Sequence, residues 1–312
     1  MERLLQEMVR RQELSIQGAY ILPLTLGAPE DKVDDGPLRA SVVDHAGCPA
    51  GVLFLANPGA PQLSHRSAVM AATAKSVMGA KLGRVILDPL ALGEFEGRSY
   101  VCWPWCRPLS QSRYLAFAQK TALAPSIVTW LAEVTRKTAQ LEGNQNPDRG
   151  FVKNLQRLTA DPDFPQTMRD AAKRGIERIT DEKWKPKFVF EHGDFWMGNV
   201  LWPHQKRGAL ARLQPFPFTL IDWAGATSTG YPMVDLTRFA VSSGSSPRAL
   251  RRQLNIHCRI LGCHLEDAPY NVLASLGHLG KSLENFPRDR YLNMGATLFE
   301  TIERASLGRM LS

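Results

Sequence analysis

Two short apolar runs, each interrupted by polar side chains, limit what residues 188–223 can fold into. The first reads FVFEHGDFWMGNVLW over 188–202 and the second FPFTLIDW over 216–223. Polar groups set among such apolar neighbours are costly unless they are bonded or put to use. Short runs rich in Val, Phe, Leu and Ile read as strands, and strands this short need a partner. If NVLW (199–202) pairs with FPFTLI (216–221) as a hairpin, Asn199 opens one strand and Asp222 follows the other. Both then lie at the same end of the ladder, with backbones roughly 5 Å apart. Asp194 lies in the loop that feeds that end. A carboxylate and an amide oxygen brought together, with a second carboxylate nearby, suit a hard divalent cation such as Mg²⁺, which takes oxygen ligands and keeps several waters.

The rest of the chain reads as two regions. The first 106 residues alternate in the manner of strands. AYILPLTLG (19–27), LRASVVDHAG (38–47) and AGVLFLAN (50–57) are strand candidates, the latter two joined by a turn around Gly47-Cys48-Pro49. SHRSAVMAATAKSVMGAKLG (64–83) predicts a helix opened by Ser64 as cap and closed by Gly83. VILDPLALGEFEGRSYVCWPW adds two strands around a turn at Gly97. Five strands and one helix would make a small lobe. From Pro108 onward the apolar spacing turns to three and four, predicting helices over 112–143, with Pro125 as a break or a new start, and over 165–179. In the latter, Met168, Ala172, Ile176 and Ile179 form one face, with Arg169, Lys173 and Arg174 outward. After Ser245 helices follow to about Arg309. The expected architecture is α+β and bilobal: a β-rich lobe over 1–106, a mostly helical one over 107–312, and a short hinge near 103–108.

Composition closes off several function classes. At 312 residues, 44% hydrophobic and 22% charged, the chain can bury one large core or two adjoining ones. The charged N-terminal MERLLQEMVRRQELS lacks the apolar core of a secretory signal, and no apolar run approaches the ~18 residues of a membrane span. Five scattered cysteines suit reduced thiols and a cytoplasmic setting. In HCRILGCH (257–264), Cys258 and Cys263 are not spaced as zinc ligands and would not share a helix face, so a packed helix is expected there. A net charge of +8 favours anionic partners such as nucleotides, yet no basic motif interleaved with aromatics points to nucleic acid.

The polar residues of the opening runs carry a more specific signal. HGDFWMGN … LIDWAGATSTGYPMVDLTRF, within 188–239, resembles the aminoglycoside phosphotransferase and choline kinase family, whose members have a protein-kinase-like fold. In the phosphoryl-transfer template a catalytic Asp is followed five residues on by a metal-binding Asn, and a later Asp holds the metal that bridges the nucleotide phosphates. The resemblance implies that Asp194 accepts or orients the acceptor's hydroxyl proton and that Asn199 and Asp222 bind Mg²⁺. It implies that His192 braces the loop, and that Gly230 and Asp235 are structural, the acid tying down the catalytic loop. It also implies ATP or GTP as co-substrate, with the base bonded by backbone around Pro104, Trp105 and Cys106, and a small hydroxylated acceptor.

The first region departs from that pattern. Such kinases grip the α- and β-phosphates with a Lys on the third strand, paired with a Glu on the next helix. Here the aligned position is Phe54, and SHRSAVMAATAKSVMGAKLG contains no Glu or Asp. Lys75 and Lys81 on that helix read as solvated surface groups. The loop 27–37, where a nucleotide-covering loop belongs, holds Glu30, Asp31, Asp34 and Asp35 against one Lys32. Two readings therefore stand: an O-phosphotransferase acting on a small molecule (a sugar, a glycan precursor or an antibiotic), or a pseudokinase that binds nucleotide without turnover. The row Arg149, Lys153, Arg157, Arg169, Lys173, Arg174 and Arg178 suits an acidic or phosphorylated acceptor better than a polycationic one. Trp103, Trp105 and Trp196 are candidate walls for a base or a sugar ring, against the commoner fate of Trp in a core.

Overall fold

The computed structural model describes residues 1–14, 16, 18–24, 38–58, 62–141, 150–202, 216–283 and 286–308. The acidic loop 27–37, the hairpin loop 203–214, Arg149 and the chain end from 309 lie outside the described residues. Along the chain run α1 (Glu2–Arg10), β1 (Tyr20–Pro23), β2 (Leu38–Val43), β3 (Pro49–Leu55), α2 (Leu63–Leu82), β4 (Ala91–Phe95), β5 (Arg98–Pro104) and α3 (Arg113–Thr138). There follow β6 (Gln140–Leu141), α4 (Phe151–Ala160), α5 (Gln166–Thr180), β7 (Lys187–Glu191), β8 (Val200–Leu201), β9 (Thr219–Leu220) and β10 (Thr227–Gly230). The remaining elements are α6 (Val234–Ser243), α7 (Pro247–Leu261), α8 (Ala268–Leu279) and α9 (Arg288–Leu307). The class is α+β, with the main sheet early and a mostly helical part after it.

Two compact units emerge. One joins Met1–Gln119 with Gly198–Gly225, and the other joins Lys120–Met197 with Ala226–Ser312. The expected division was a single cut after residue 106. The later segment 198–225 groups with the first unit because its backbone is bonded there: Leu220 bridges to Ile86, Leu201 to Pro108, and the Trp202 N–H donates to the Arg107 carbonyl at 3.0 Å.

The first unit is built on an antiparallel sheet in the order β1-β2-β3-β5-β4. Side chains of β3 alternate: Leu53 and Leu55 are buried while Val52 and Phe54 are half-buried on the other face. Against the buried face packs α1, whose Leu4, Leu5 and Met8 join Val42, Tyr100 and Cys102. This helix was not expected; its apolar residues at spacings of one and four form a narrow stripe in a strongly charged segment. Asp44 turns β2 into β3, its Oδ1 accepting the N–H groups of Ala46 and Cys48, each at 2.9 Å. The predicted helix forms as α2 and is closed by Gly83 as expected, but its start differs: Gln62 precedes it with φ 56° and Ser64 lies inside it. Gly79 holds a special conformation, φ 67°, within the helix. Only glycine enters that region without steric cost.

In the second unit β7 is the middle strand of β10-β7-β6. The sequence points to neither partner, because QL and TSTG show no apolar alternation and QL falls within the stretch whose spacing predicts a helix. That helix ends at Thr138, whose Oγ1 accepts the Phe190 N–H of β7 at 2.9 Å. Pro125 neither breaks nor starts α3, which runs through it with Ile127, Trp130 and Leu131 buried beyond. Burial there outweighs the hydrogen bond that proline omits. Phe151 of α4 anchors the core, its ring 5.5 Å from Trp184, 5.2 Å from Phe188 and 5.1 Å from Tyr231.

Three further expectations are corrected in this unit. The buried stripe of α5 is Met168, Ala171, Ala172 and Gly175, with Ile176 and Ile179 only half-buried, because small residues let the helix sit closer on that side. The helix expected over 257–264 does not reach Cys263: α7 stops at Leu261, the chain turns at Gly262, and the Cys263 N–H donates to the Cys258 carbonyl at 3.1 Å. The row of basic residues is largely engaged. Arg178 pairs with Asp267 at 2.6 Å and Glu266 at 2.7 Å, Lys173 reaches Asp170 at 3.4 Å, and Arg157 donates to Asn154 at 2.7 Å. Among the described residues no helix is long and apolar enough to cross a membrane.

Candidate active site

The two short runs pair as the antiparallel ribbon that the hairpin reading required. Val200 pairs with Leu220 and Leu201 with Thr219, antiparallel, and the Ile221 N–H donates to the Asn199 carbonyl at 3.1 Å. Asn199 and Asp222 therefore flank the same end of the β8–β9 ribbon. Asn199 is buried and Asp222 exposed. Asp222 has φ 65°, a left-handed conformation that costs most residues energy and that Asp tolerates better than they do. Its neighbours hold it there: the buried Trp223 donates its backbone N–H to Ser67 Oγ of α2 at 2.9 Å and its indole N–H to the Leu220 carbonyl at 3.1 Å. A non-glycine residue pinned at positive φ at a strand end is a common mark of a functional site.

This ribbon end opens into a cleft of about 420 Å³ within the first unit. One wall is the half-buried face of the sheet, with Val52, Phe54 and Trp103; another is the start of α2, with Leu63, Ser64 and Ser67. Pro104, Trp105 and Cys106 line its rim, and Asn199, Leu220, Ile221 and Asp222 its far side. The lining is mostly apolar and aromatic with a few polar groups, the pattern of a small-molecule site. Trp103 and Trp105 both border the cleft, whereas the half-exposed Trp196 belongs to the other unit. Proline has no N–H, and the Trp105 N–H donates to the Ala50 carbonyl at 3.0 Å. A base seated here would not draw a hydrogen bond from either of those two nitrogens.

The donor set suits a hard cation. One carboxylate and one amide oxygen at the ribbon end match Mg²⁺ chemistry, in which one or two protein ligands are completed by phosphates and water. Among the described residues no group of three or more His, Cys, Asp and Glu side chains could hold an ion by itself.

In the second unit the segment after β7 is tied down at almost every step. The half-buried Asp235 of α6 accepts the His192 N–H at 2.7 Å through one oxygen and the Gly193 N–H at 3.1 Å through the other. Burial pushes the Asp235 carboxyl up to about 6, opposed by these two backbone bonds and by Arg238. The Asp194 N–H points to His192 Nδ1 at 3.3 Å, and the His192 ring stands edge-on to Phe195 with centroids 5.7 Å apart. The Met197 N–H donates to Ser242 Oγ at 3.0 Å. Gly230 has a steric reason to be glycine: a Cβ there would lie 2.1 Å from Glu191 Cβ. Glu191 Oε2 accepts the Tyr231 N–H at 2.7 Å, which brings the two backbones together.

Sequence reasoning missed Arg238, whose guanidinium forms an ion pair with the Asp194 carboxylate. The signal was present, since Arg238 lies three residues after Asp235 on α6 and so shares its face. It missed Ser67 as well, which no spacing in the sequence marks.

Residues 56–263 match the profile described as the phosphotransferase enzyme family. Among curated proteins none matches the sequence. Similar solved structures include a thermostable mutant of the aminoglycoside phosphotransferase APH(4)-Ia in ternary complex with ADP and hygromycin B, at TM-score 0.55 and 14% identity over 99% of both chains. The choline kinase LicA from Streptococcus pneumoniae is similar at TM-score 0.53 and 13% identity, again over 99% of both. A putative fructosamine-3-kinase from Haemophilus somnus is similar at TM-score 0.50 and 12% identity, over 91% of this chain and 90% of that one.

Proposed function

This chain belongs to the phosphotransferase enzyme family, and from that premise we propose that it moves the γ-phosphoryl group of ATP or GTP to a hydroxyl of a small molecule. One observation carries the reading: Asn199 and Asp222 flank one end of a ribbon that opens into an aromatic-walled cleft. Asn199 and Asp222 would hold Mg²⁺. Bound there, the ion neutralises charge that develops on the phosphates during transfer. Trp103 and Trp105 would border the base. Asp194 takes the proton of the acceptor hydroxyl as its oxygen bonds to phosphorus and the bond to the leaving diphosphate breaks; the proton leaves with later exchange to water. Arg238 fixes the orientation of the Asp194 carboxylate, and Asp235 and His192 fix the loop that presents it. Such positioning, rather than covalent chemistry, supplies most of the rate.

The acceptor class follows from charge. A guanidinium already paired with Asp194 disfavours a polycationic acceptor, and a neutral or acidic hydroxylated molecule fits better. The kinship of fold with proteins named for aminoglycosides, choline and fructosamine supports small-molecule phosphorylation without choosing among acceptors.

A second reading, nucleotide binding without turnover, is favoured by Phe54 at the place of the usual lysine and by the absence of any acid on α2. Thermal shift with Mg-ATP and Mg-GTP, followed by nucleotide hydrolysis by wild type and Asp194→Ala, decides between them. Transfer predicts stabilisation by at least one nucleotide and turnover that Asp194→Ala lowers about 10³-fold, in the range of a lost general base. Stabilisation without turnover in the wild type selects the second reading, and no stabilisation by either nucleotide contradicts both.

A further inference from the structure

Phe54 occupies the position where a phosphate-gripping lysine is expected, and its cross-strand partner is a cation. Arg39 of β2 lies directly opposite Phe54 of β3 in the ladder. Directly paired residues put their side chains on the same face of a sheet. The Arg39 guanidinium lies over the Phe54 ring, 5.7 Å from its centroid, and both side chains line the cleft that Asn199 and Asp222 also line. Among the described residues bordering that cleft, Arg39 is the basic one.

We propose that Arg39 grips the phosphates of the bound nucleotide, replacing the missing third-strand lysine from the neighbouring strand. The proposal rests on the reading of the cleft as a nucleotide site. Three features support it. The site needs a cation on this face, because one divalent metal held by Asn199 and Asp222 leaves about half of the triphosphate charge unmatched. Arginine is suited to the work from one strand further away: it is longer, and its planar fork bonds two phosphate oxygens at once. Phe54 then has a function of its own, because its ring face supports the guanidinium and limits its rotamers.

Lys75, Lys81 and Arg98 of this unit do not line the cleft: Lys75 pairs with Asp88, Lys81 is exposed, and Arg98 Nε donates to the Ala56 carbonyl at 2.6 Å. The absent acid on α2 is consistent with the same substitution: a lysine needs an ion-pair partner to be held in place, whereas Arg39 is held by an aromatic face.

Binding of Mg-ATP and of adenosine, measured by calorimetry on wild type, Arg39→Ala and Arg39→Ala/Phe54→Lys, tests this. Arg39→Ala should weaken Mg-ATP binding about 10- to 100-fold, the size of a lost charge-assisted phosphate contact, and leave adenosine binding within about twofold. The double variant, with its cation returned to the third strand, should recover at least tenfold of the lost Mg-ATP affinity. Mg-ATP binding unchanged in Arg39→Ala overturns the assignment alone. Equal loss for ATP and adenosine also overturns it, by showing that Arg39 only shapes the pocket. If GTP proves to be the nucleotide, Mg-GTP and guanosine serve as the pair with the same expectations. A wild type that binds neither nucleotide overturns the nucleotide reading and this assignment with it.

Discussion

The loop at 192–197 and the cleft of the first unit solve different problems of placement. In the loop, each group that matters is fixed from one face of α6: Asp235 accepts from His192 and Gly193, Arg238 pairs with Asp194, and Ser242 accepts from Met197. In the cleft the polar groups come from separate strands, Arg39 on β2 and the Asn199 and Asp222 pair on the β8–β9 ribbon. The lesson is that chemistry fixed by local spacing keeps its residues in place along the sequence. Chemistry fixed by a sheet face can pass to the neighbouring strand.

If the loop depends on its bracing, Asp235→Asn should lower kcat about 10- to 100-fold, since an amide offers an N–H where two backbone donors need acceptors. Nucleotide affinity should stay near the wild-type value, and a fall in affinity of equal size would show that the two regions are not separable. The raised Asp235 group adds a pH signature. Its carboxylate form is needed for the two backbone bonds, so kcat should fall as pH drops below about 6. The stability term has the opposite sign: the folded state keeps the proton up to about 6 while the unfolded chain releases it near 3.8, so this group's contribution declines as pH rises through that window and is level above it.

Gly230→Ala sharpens the same contrast from the side of packing. The added methyl meets Glu191, and the variant should lose about 1–3 kcal/mol in a denaturant titration, the usual cost of overpacking. A neutral result would show that β7 and β10 can part without penalty.

The smallest effect expected comes from His257, buried against α3 with Nδ1 3.1 Å from Thr135 Oγ1. Burial, helped by Arg136, depresses it to about 4 from an ordinary 6.5. Its contribution is complete above 6.5 and is lost as pH falls toward 4, amounting to about 1–2 kcal/mol between pH 7.5 and 5. Comparing His257→Gln with wild type across that range isolates the term from the opposing one of Asp235; parallel stability curves would refute it.

Legibility in the sequence followed the same divide. The ribbon and its shared end could be expected because two short apolar runs end in polar side chains, and the tie from Asp235 to the loop because the resemblance implied it. The vacancy at Phe54 was legible too, but Arg39 was not, since it becomes a neighbour only once the register of β2 against β3 is known. The strands β6 and β10 escaped notice for want of apolar alternation, and α1 because its stripe is narrow. Pro125 misled because tertiary burial overrode a local preference, and Ser64 because Gln62, in a left-handed conformation, already starts the helix.

Mg²⁺ dependence of nucleotide binding tests the central claim most directly. Titrating ATP and GTP into wild type and Asp222→Ala, each with and without Mg²⁺, should give tighter binding with the metal for wild type by about tenfold or more, and no metal effect for the variant, consistent with metal-dependent phosphate contacts. Metal-independent nucleotide binding by the wild type, or a metal effect that persists in Asp222→Ala, would contradict it.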